Sequence, residues 1–449
     1  MAREELSKGI KNFLSKNYIG DLQEKFSEYD SFIFFDKINC ELTIDDPQLA
    51  FYLQNTSVRS LYKFGGKFPD KYQTKSAKYS SDSKKKLIEK PDRNIKHRAS
   101  YNTKIYTEVT KSINNIKILH LSDIHLSTRN QAELYLSQLK ADLIQELKVS
   151  KLDYVVISGD IANCSKSEEY DAATLIIDGL INQFSLDSSK FIIVPGNHDL
   201  NWDLSKNAYP FKYKDSLPKP LIEGSYIPAG DTGALLREEN LYKKRFDYFR
   251  NFYRKICGND FPVEYADQAV LHIYPKDKMI FLALNSCWEI DHYYKNRASI
   301  NSSALARTLD KIVLSEYQDW LKIAVWHHPI NGTESMNDSF IERLAIAGFK
   351  IGMHGHIHEA RDSYLMYDVN RGTHIIGSGT FGAPIKEQVP GIPLQYNLIL
   401  FNRQKHVIIV ETRKKEKPEG SWSADARWGD KNNPVPRYII QLEEPGWIR

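Results

Sequence analysis

The stretch Phe191-Ile-Ile-Val-Pro-Gly-Asn-His-Asp199 joins a short apolar run to a turn crowded with polar side chains. Phe191 to Val194 reads as a buried strand, and Pro195 and Gly196 end it. Asn197, His198 and Asp199 then stand at its carboxyl end. The same texture recurs in both directions. Upstream, the strand Ile116 to Leu121 leads into Asp123-Ile-His125, and Tyr154 to Ile157 leads into Gly159-Asp160. Downstream, Ile323 to Val325 leads into His327-His-Pro329, and Lys350 to Met353 into Gly355-His-Ile-His358. Helical spacing fills the gaps over Leu134 to Leu147, Glu168 to Phe184 and Phe340 to Ala347. Strands are also expected at Met279 to Leu284, His374 to Gly377, Leu398 to Phe401 and His406 to Thr412. Strands alternating with helices predict βαβ units, with antiparallel pairing where the last strands follow one another without helices.

Ligands of open α/β sheets gather outside the carboxyl ends of the strands, so the five polar clusters can converge on one site. They supply carboxylate and imidazole donors and no thiolate. That set suits Mn²⁺, Fe²⁺ or Zn²⁺ in a reactive site better than a structural zinc. The donors suffice for two ions, and a shared carboxylate can hold two metals at the ~3.5–4 Å spacing that clamps phosphoryl oxygens. Each cluster alone is a weak signal. All five in this order, each after an expected strand, form a specific one.

The order D-x-H, G-D, G-N-H-[DE], H, G-H-x-H resembles the calcineurin-like metallophosphoesterase superfamily over roughly residues 115 to 412, apart from an insertion at 200 to 268. On Pro195-Gly-Asn-His-Asp199, His327-His-Pro329 and Gly355-His-Ile-His-Glu359 it looks most like the bacterial class III cyclic-nucleotide phosphodiesterases. G-N-H-D in place of G-N-H-E argues against the protein Ser/Thr phosphatase branch. The resemblance implies an α/β fold with a four-layer α/β/β/α sandwich core, and two divalent metal ions, with Mn²⁺ expected ahead of Fe²⁺ or Zn²⁺. By motif position it implies that Asp123, His125, Asp160 and His358 hold the first metal, with Asp160 bridging. Asn197, His327 and His356 complete the second. His198 then meets the scissile phosphate and protonates the leaving oxygen, while a metal-bound hydroxide attacks. Asp199 is expected to orient His198 or a ligand, and His328 to be the non-ligand of its pair. His120, on the opposite parity of its strand, reads as a core histidine.

The rest of the chain bounds these expectations. Of 449 residues, 41% are hydrophobic and 26% charged, a globular rather than disordered balance. Residues 1 to 58 form a small N-terminal region, with helical spacing at Leu6, Ile10, Phe13 and Leu14 and an aromatic run at Ser31 to Asp36. Residues 59 to 112 read as a basic linker or surface segment; from Arg59 to Lys104 fourteen Lys/Arg face four Asp/Glu. The phosphoesterase domain is expected over 113 to 412. Its insertion holds a helix from Arg237 to Ile256, for which docking on the body by Tyr248, Phe249, Phe252 and Tyr253 is weighed against a lid. Residues 413 to 449 form a C-terminal extension, with Trp422, Trp428 and Trp447 as packing anchors and a strand at Tyr438 to Gln441. No secretory leader and no apolar run near the roughly 18 residues of a membrane span are seen, and four cysteines without a C-x-x-C pair suggest a reducing, cytoplasmic compartment.

Function therefore reads first as hydrolysis of a small phosphoester, a nucleotide phosphodiester above all. The alternative is a nuclease of the same superfamily whose basic segment 59–104 tracks nucleic acid. A catalytically silent scaffold is disfavoured because every expected ligand and His198 are present. The terminal regions are candidates for binding a protein partner, and no membrane partner is expected.

Overall fold

In this computed structural model, strands β1 (Ile33–Asp36) and β2 (Glu41–Ile44) pair antiparallel within the first of two units, Met1–Arg98. They are what is described of that unit. In the second unit, Ala99–Arg449, the described residues are 105–109, 115–312, 315–330, 335–368, 371–384, 387–430 and 433–442. The helical pattern from Leu6, the basic stretch 59–104 and Trp447 lie outside the described residues.

Two sheets dominate the second unit. In the first, β3 (Ile116–Leu121), β4 (Tyr154–Ser158) and β5 (Phe191–Val194) run parallel, linked by helices α1 (Arg129–Ala141) and α2 (Ser167–Phe184). The helix expected from Leu134 starts earlier because Thr128 caps it, accepting from the Gln131 N–H. In the second sheet, β10 (Met279–Leu284), β11 (Leu321–Val325), β12 (Ile351–His354) and β14 (Arg371–Gly377) run parallel. Antiparallel β9 (Ala269–Tyr274) and β13 (Arg361–Asp368) form its edges. The expected antiparallel end is found as β15 (Leu394–Asn402) and β16 (Val407–Lys415), which join the first sheet beside β3. The boundary expected after residue 412 thus falls inside a strand. A strand at Arg437–Gln441 pairs with β16, so the C-terminal segment is woven into that sheet.

Side-chain alternation sorts these strands into three cores. Ile118, Val156, Ile192 and Ile399 of the first sheet pack against Phe281, Ile323, Val325, Ile351 and Met353 of the second. The other parity, Leu119, Leu121, Val155, Ile157 and Ile193, faces α1 and α2. On the far side of the second sheet, Ile280, Leu282, Ala324 and Trp326 meet helices Ser302–Asp310 and Ser339–Ile346. Strands buried on both faces explain the near-continuous apolar runs in the sequence. The arrangement fits the expected α/β/β/α order.

The insertion resolves into two parts. The expected helix Arg237 to Ile256 is interrupted: a short turn at Glu239–Tyr242 and a 3₁₀ turn at Lys243–Phe246 precede helix α3 (Asp247–Cys257). Fully buried Arg245 accounts for the break, because its guanidinium donates to the carbonyls of Tyr242, Trp288 and Ile290. Phe249, Phe252 and Tyr253 of α3 are buried with α2, so this helix belongs to the body. Before it come a short helix, Trp202–Asn207, and a three-stranded antiparallel sheet of β6 (Phe211–Tyr213), β7 (Tyr226–Ala229) and β8 (Gly233–Leu236), with β8 in the middle.

Candidate metal centre

The parallel strands β3, β4 and β5 end at one edge of the first sheet, and β11 and β12 at one edge of the second. Beyond these edges the backbone turns sharply. Asp123, His125, Asp160, His356 and His358 all have φ between 48° and 69°. Such left-handed backbone costs a non-glycine residue roughly 1–2 kcal/mol and persists where surrounding structure dictates it. Here it aims five polar side chains off their strand ends. Gly159 takes φ 98°, and a Cβ there would collide with the His327 ring.

Two groups of donor atoms result. In the first, Asp123 Oδ1 lies 3.2 Å from His358 Nε2 and 3.9 Å from His125 Nε2. In the second, His327 Nε2 lies 3.0 Å from Asp160 Oδ2 and 3.2 Å from His356 Nδ1. Donor oxygens of Asp123 and Asp160 and a nitrogen of His327 lie within 4.8 Å of one another, so Asp160 stands between the groups. Asp160 Oδ1 also accepts the His198 N–H at 2.7 Å.

Backbone carbonyls set the tautomers. His327 Nδ1 donates to Ser158 O at 2.7 Å, and His358 Nδ1 to Glu387 O at 2.7 Å. Each Nε2 thereby faces a carboxylate, and once it gives up its proton it offers its lone pair to a metal. His198 is held alike, its Nδ1 donating to Asn163 O at 2.8 Å. Burial opposes charge on His198, yet the Asp160 carboxylate, the Asn163 carbonyl and Glu387 hold its pKa above the ordinary histidine value.

The residues fit divalent metals. Ligand atoms about 2.1 Å from a metal stand about 3.0–3.4 Å apart around it, the spacing of Asp123 to His358, Asp160 to His327 and His327 to His356, with His125 somewhat farther from Asp123. Asp123 Oδ1, both ring nitrogens of His125 and Asn197 Oδ1 are buried without a hydrogen-bond partner among the described residues. Buried polar atoms left so are costly unless a ligand meets them. The structure therefore brings Asp123, His125, Asp160, His327, His356 and His358 together. It places Asn197 and His198 on the adjoining turn after β5.

Asp199 acts through the backbone of the neighbouring loops. Its carboxylate accepts from the backbone N–H groups of Ile161, Ala162 and Gly196 and from the Tyr170 hydroxyl. It ties the Asp160 loop to the Asn197 loop, and the carbonyl of Asn163 orients the His198 ring. His328 is buried with Nδ1 2.9 Å from Ser286 Oγ. Its ring also lies within donor reach of His327 and His356. His120 is fully buried with Nε2 2.9 Å from Ser158 Oγ, and burial lowers its pKa to about 3. Sequence reasoning missed Glu387, on the loop between β14 and β15. Its Oε2 lies 3.8 Å from His125 Nδ1 and 3.9 Å from His198 Nε2.

Residues 116–360 match the family described as Calcineurin-like phosphoesterase. The chain belongs to that family. A metallophosphoesterase-like protein of Bacillus subtilis, YydB, is 23% identical over 250 residues, which are 55% of this chain and 49% of that protein. A glycerophosphodiester phosphodiesterase of Enterobacter lignolyticus, GpdQ, is 34% identical over 88 residues, 18% of this chain and 29% of that protein. The chain thus spans at most about half the length of these relatives. A dimetal phosphatase from Danio rerio aligns with 69% of this chain and 98% of its own, at TM-score 0.39 and 11% identity. The family is one of phosphoesterases that use divalent metal ions, and the described residues of this chain hold candidate donor groups for such ions. Among the described residues no helix is long and apolar enough to cross a membrane.

Proposed function

We propose that the protein is a dinuclear-metal phosphodiesterase acting on a small phosphodiester, a nucleotide above all, with Mn²⁺ as the working metal in a cytoplasmic setting. The observation that carries this reading is the pair of donor groups joined at Asp160. Asp123, His125, Asp160 and His358 would hold one metal, and Asn197, His327 and His356 the other. Bound there, the metals supply Lewis acidity toward phosphoryl oxygens and an activated water.

The chain's own groups do the rest. His198 presents Nε2 to the phosphate while Asn163 fixes its Nδ1 proton. Against its burial, the Asp160 carboxylate, the Asn163 carbonyl and Glu387 shift its pKa upward, which favours a ring able to bind a phosphoryl oxygen and give a proton to the departing one. Asp199 holds the two loops that carry Asp160 and His198 in register. The similarity to a glycerophosphodiester phosphodiesterase supports the diester over the monoester.

A nuclease reading is favoured only by the basic stretch Arg59 to Lys104. One assay separates the two. The full chain is tested on bis-p-nitrophenyl phosphate, p-nitrophenyl phosphate, cyclic nucleotides and labelled single-stranded DNA, with Mn²⁺ and with EDTA. Mn²⁺-dependent diester cleavage with cyclic-nucleotide turnover is expected. Cleavage of DNA without cyclic-nucleotide turnover transfers the proposal to the nuclease. Diester hydrolysis that survives EDTA removes the metal reading.

A further inference from the structure

Glu387 enters the site from outside the motif order. Its backbone carbonyl accepts from His358 Nδ1 at 2.7 Å, which pins the residue to the rim of the metal centre. Its carboxylate reaches inward, 3.9 Å from His198 Nε2 and 3.8 Å from His125 Nδ1. The side chain is 26% exposed and so keeps much of its charge unscreened by water. Asp123 and Asp160 already serve both donor groups, and Glu387 shares a further group of ligand atoms, within 4.8 Å of one another, with His125 and His198.

We infer that Glu387 is a specificity-determining residue that favours singly charged phosphodiesters over doubly charged phosphomonoesters. The inference rests on the phosphodiesterase reading and on His198 as the group that meets the phosphate. A phosphoryl oxygen hydrogen-bonded to His198 Nε2, about 2.8 Å away, stands no more than about 7 Å from the Glu387 carboxylate. That is inside the screening length of about 8 Å at physiological ionic strength. Every bound phosphate feels the repulsion. A monoester dianion carries one more negative charge than a diester and feels it about twice over. With the discount for partial exposure, the extra charge costs on the order of tenfold in selectivity. A diester also has a second ester group to turn toward the carboxylate, whereas a monoester presents a charged oxygen there.

The test uses the Mn²⁺-loaded full chain with Glu387→Gln and Glu387→Asp. Gln keeps the shape and removes the charge, and Asp keeps the charge on a shorter stem. Three quantities are read: kcat/KM for p-nitrophenyl phosphate relative to bis-p-nitrophenyl phosphate, the affinity for inorganic phosphate relative to dimethyl phosphate by calorimetry, and metal content. Glu387→Gln should raise the monoester-to-diester ratio by about tenfold, since any weaker support of the His198 charge acts on both substrates alike, with metal content as in the wild type. Glu387→Asp should stay near the wild-type ratio. An unchanged ratio overturns the inference. So does an equal fall on both substrates, which would make Glu387 a prop for His198 or His125, or a loss of metal. If the wild type hydrolyses neither substrate, the phosphodiesterase reading fails. Calorimetry then still decides the repulsion, and an unchanged preference between inorganic phosphate and the diester anion dimethyl phosphate in Glu387→Gln overturns it.

Discussion

At the scale of single residues, the centre depends on where protons and lone pairs point. His198 has its Nδ1 proton committed to Asn163 and its Nε2 free to face a substrate. Its ring lies beside His125 and Glu387, outside the groups that hold Asp123 and Asp160. His198→Ala should therefore lower hydrolysis of an activated diester by about 10²–10⁴-fold while metal content stays near wild type. Elemental analysis beside the kinetics checks this, and loss of both metals would mean that His198 is a ligand. Asp160 is the opposite case. One of its oxygens faces His327 and the other takes the His198 backbone N–H, while Asp123 lies within donor reach. Asp160→Asn keeps the shape but halves what the site can offer a shared cation. Metal and activity should fall together, and full activity in Asp160→Asn would undo the two-metal assignment. The backbone contributes too: five left-handed non-glycine residues form a pattern that composition does not announce.

At the scale of elements, α3 offers a test of body against lid. Phe252 is 2% exposed and packs its ring 5.1 Å from that of Tyr170 on α2. Tyr170 in turn bonds Asp199. Phe252→Ala should cost about 3–5 kcal/mol of stability, read as a lower denaturant midpoint. Diester kcat at about 20 °C should stay within a few-fold, whereas a lid would show a large kinetic change and little loss of stability. The same elements show what the sequence could disclose. Strands buried on both faces, such as β4 and β10, were legible because nearly every residue is apolar. The turns after them were legible because histidines and carboxylates stood where an apolar run stopped. The edge strands of the second sheet were not. β13 begins Arg361-Asp-Ser and is largely exposed at that end, so it lacks apolar alternation. Helix Ser302–Asp310, which Asn301 caps by accepting from Ser303 and Ala304, is a further element that the sequence reading lacks. Glu387 was illegible for another reason. It reaches His125 and His198 only through the fold, from a loop that carries none of the five motifs.

At the scale of the whole second unit, the metal centre is where two separate sheets are fastened together. Asp123 of the first sheet faces His358 and accepts the His356 N–H of the second, and Asp160 of the first faces His327 of the second. Without metal these cross-sheet pairs are acid–base pairs. Burial disfavours charge on His358, but Asp123 outweighs it and raises the pKa to about 9; Asp160 raises that of His327 in the same way. A histidine raised in the folded state adds stability that is fully present below its unfolded value of about 6.5 and fades as pH climbs toward the raised one. Metal ligation requires the neutral ring, so the same protons oppose loading. The two consequences run in opposite directions between about pH 6.5 and about pH 9. The metal-free protein should melt at a lower temperature at the upper end of that interval than at the lower. Mn²⁺ should bind more tightly over the same interval and release protons as it does so. Ligand binding stabilises by about 4 kcal/mol at a thousandfold excess over Kd, so the gap between EDTA-treated and Mn²⁺-loaded melting temperatures should widen with pH. Thermal denaturation at about pH 6.5, 7.5 and 9, with and without Mn²⁺, and calorimetry in buffers of different ionisation enthalpy measure both effects. A gap that stays constant, with no proton release, would show that these histidines are already neutral in the metal-free protein and that the carboxylates do not hold the two sheets by charge.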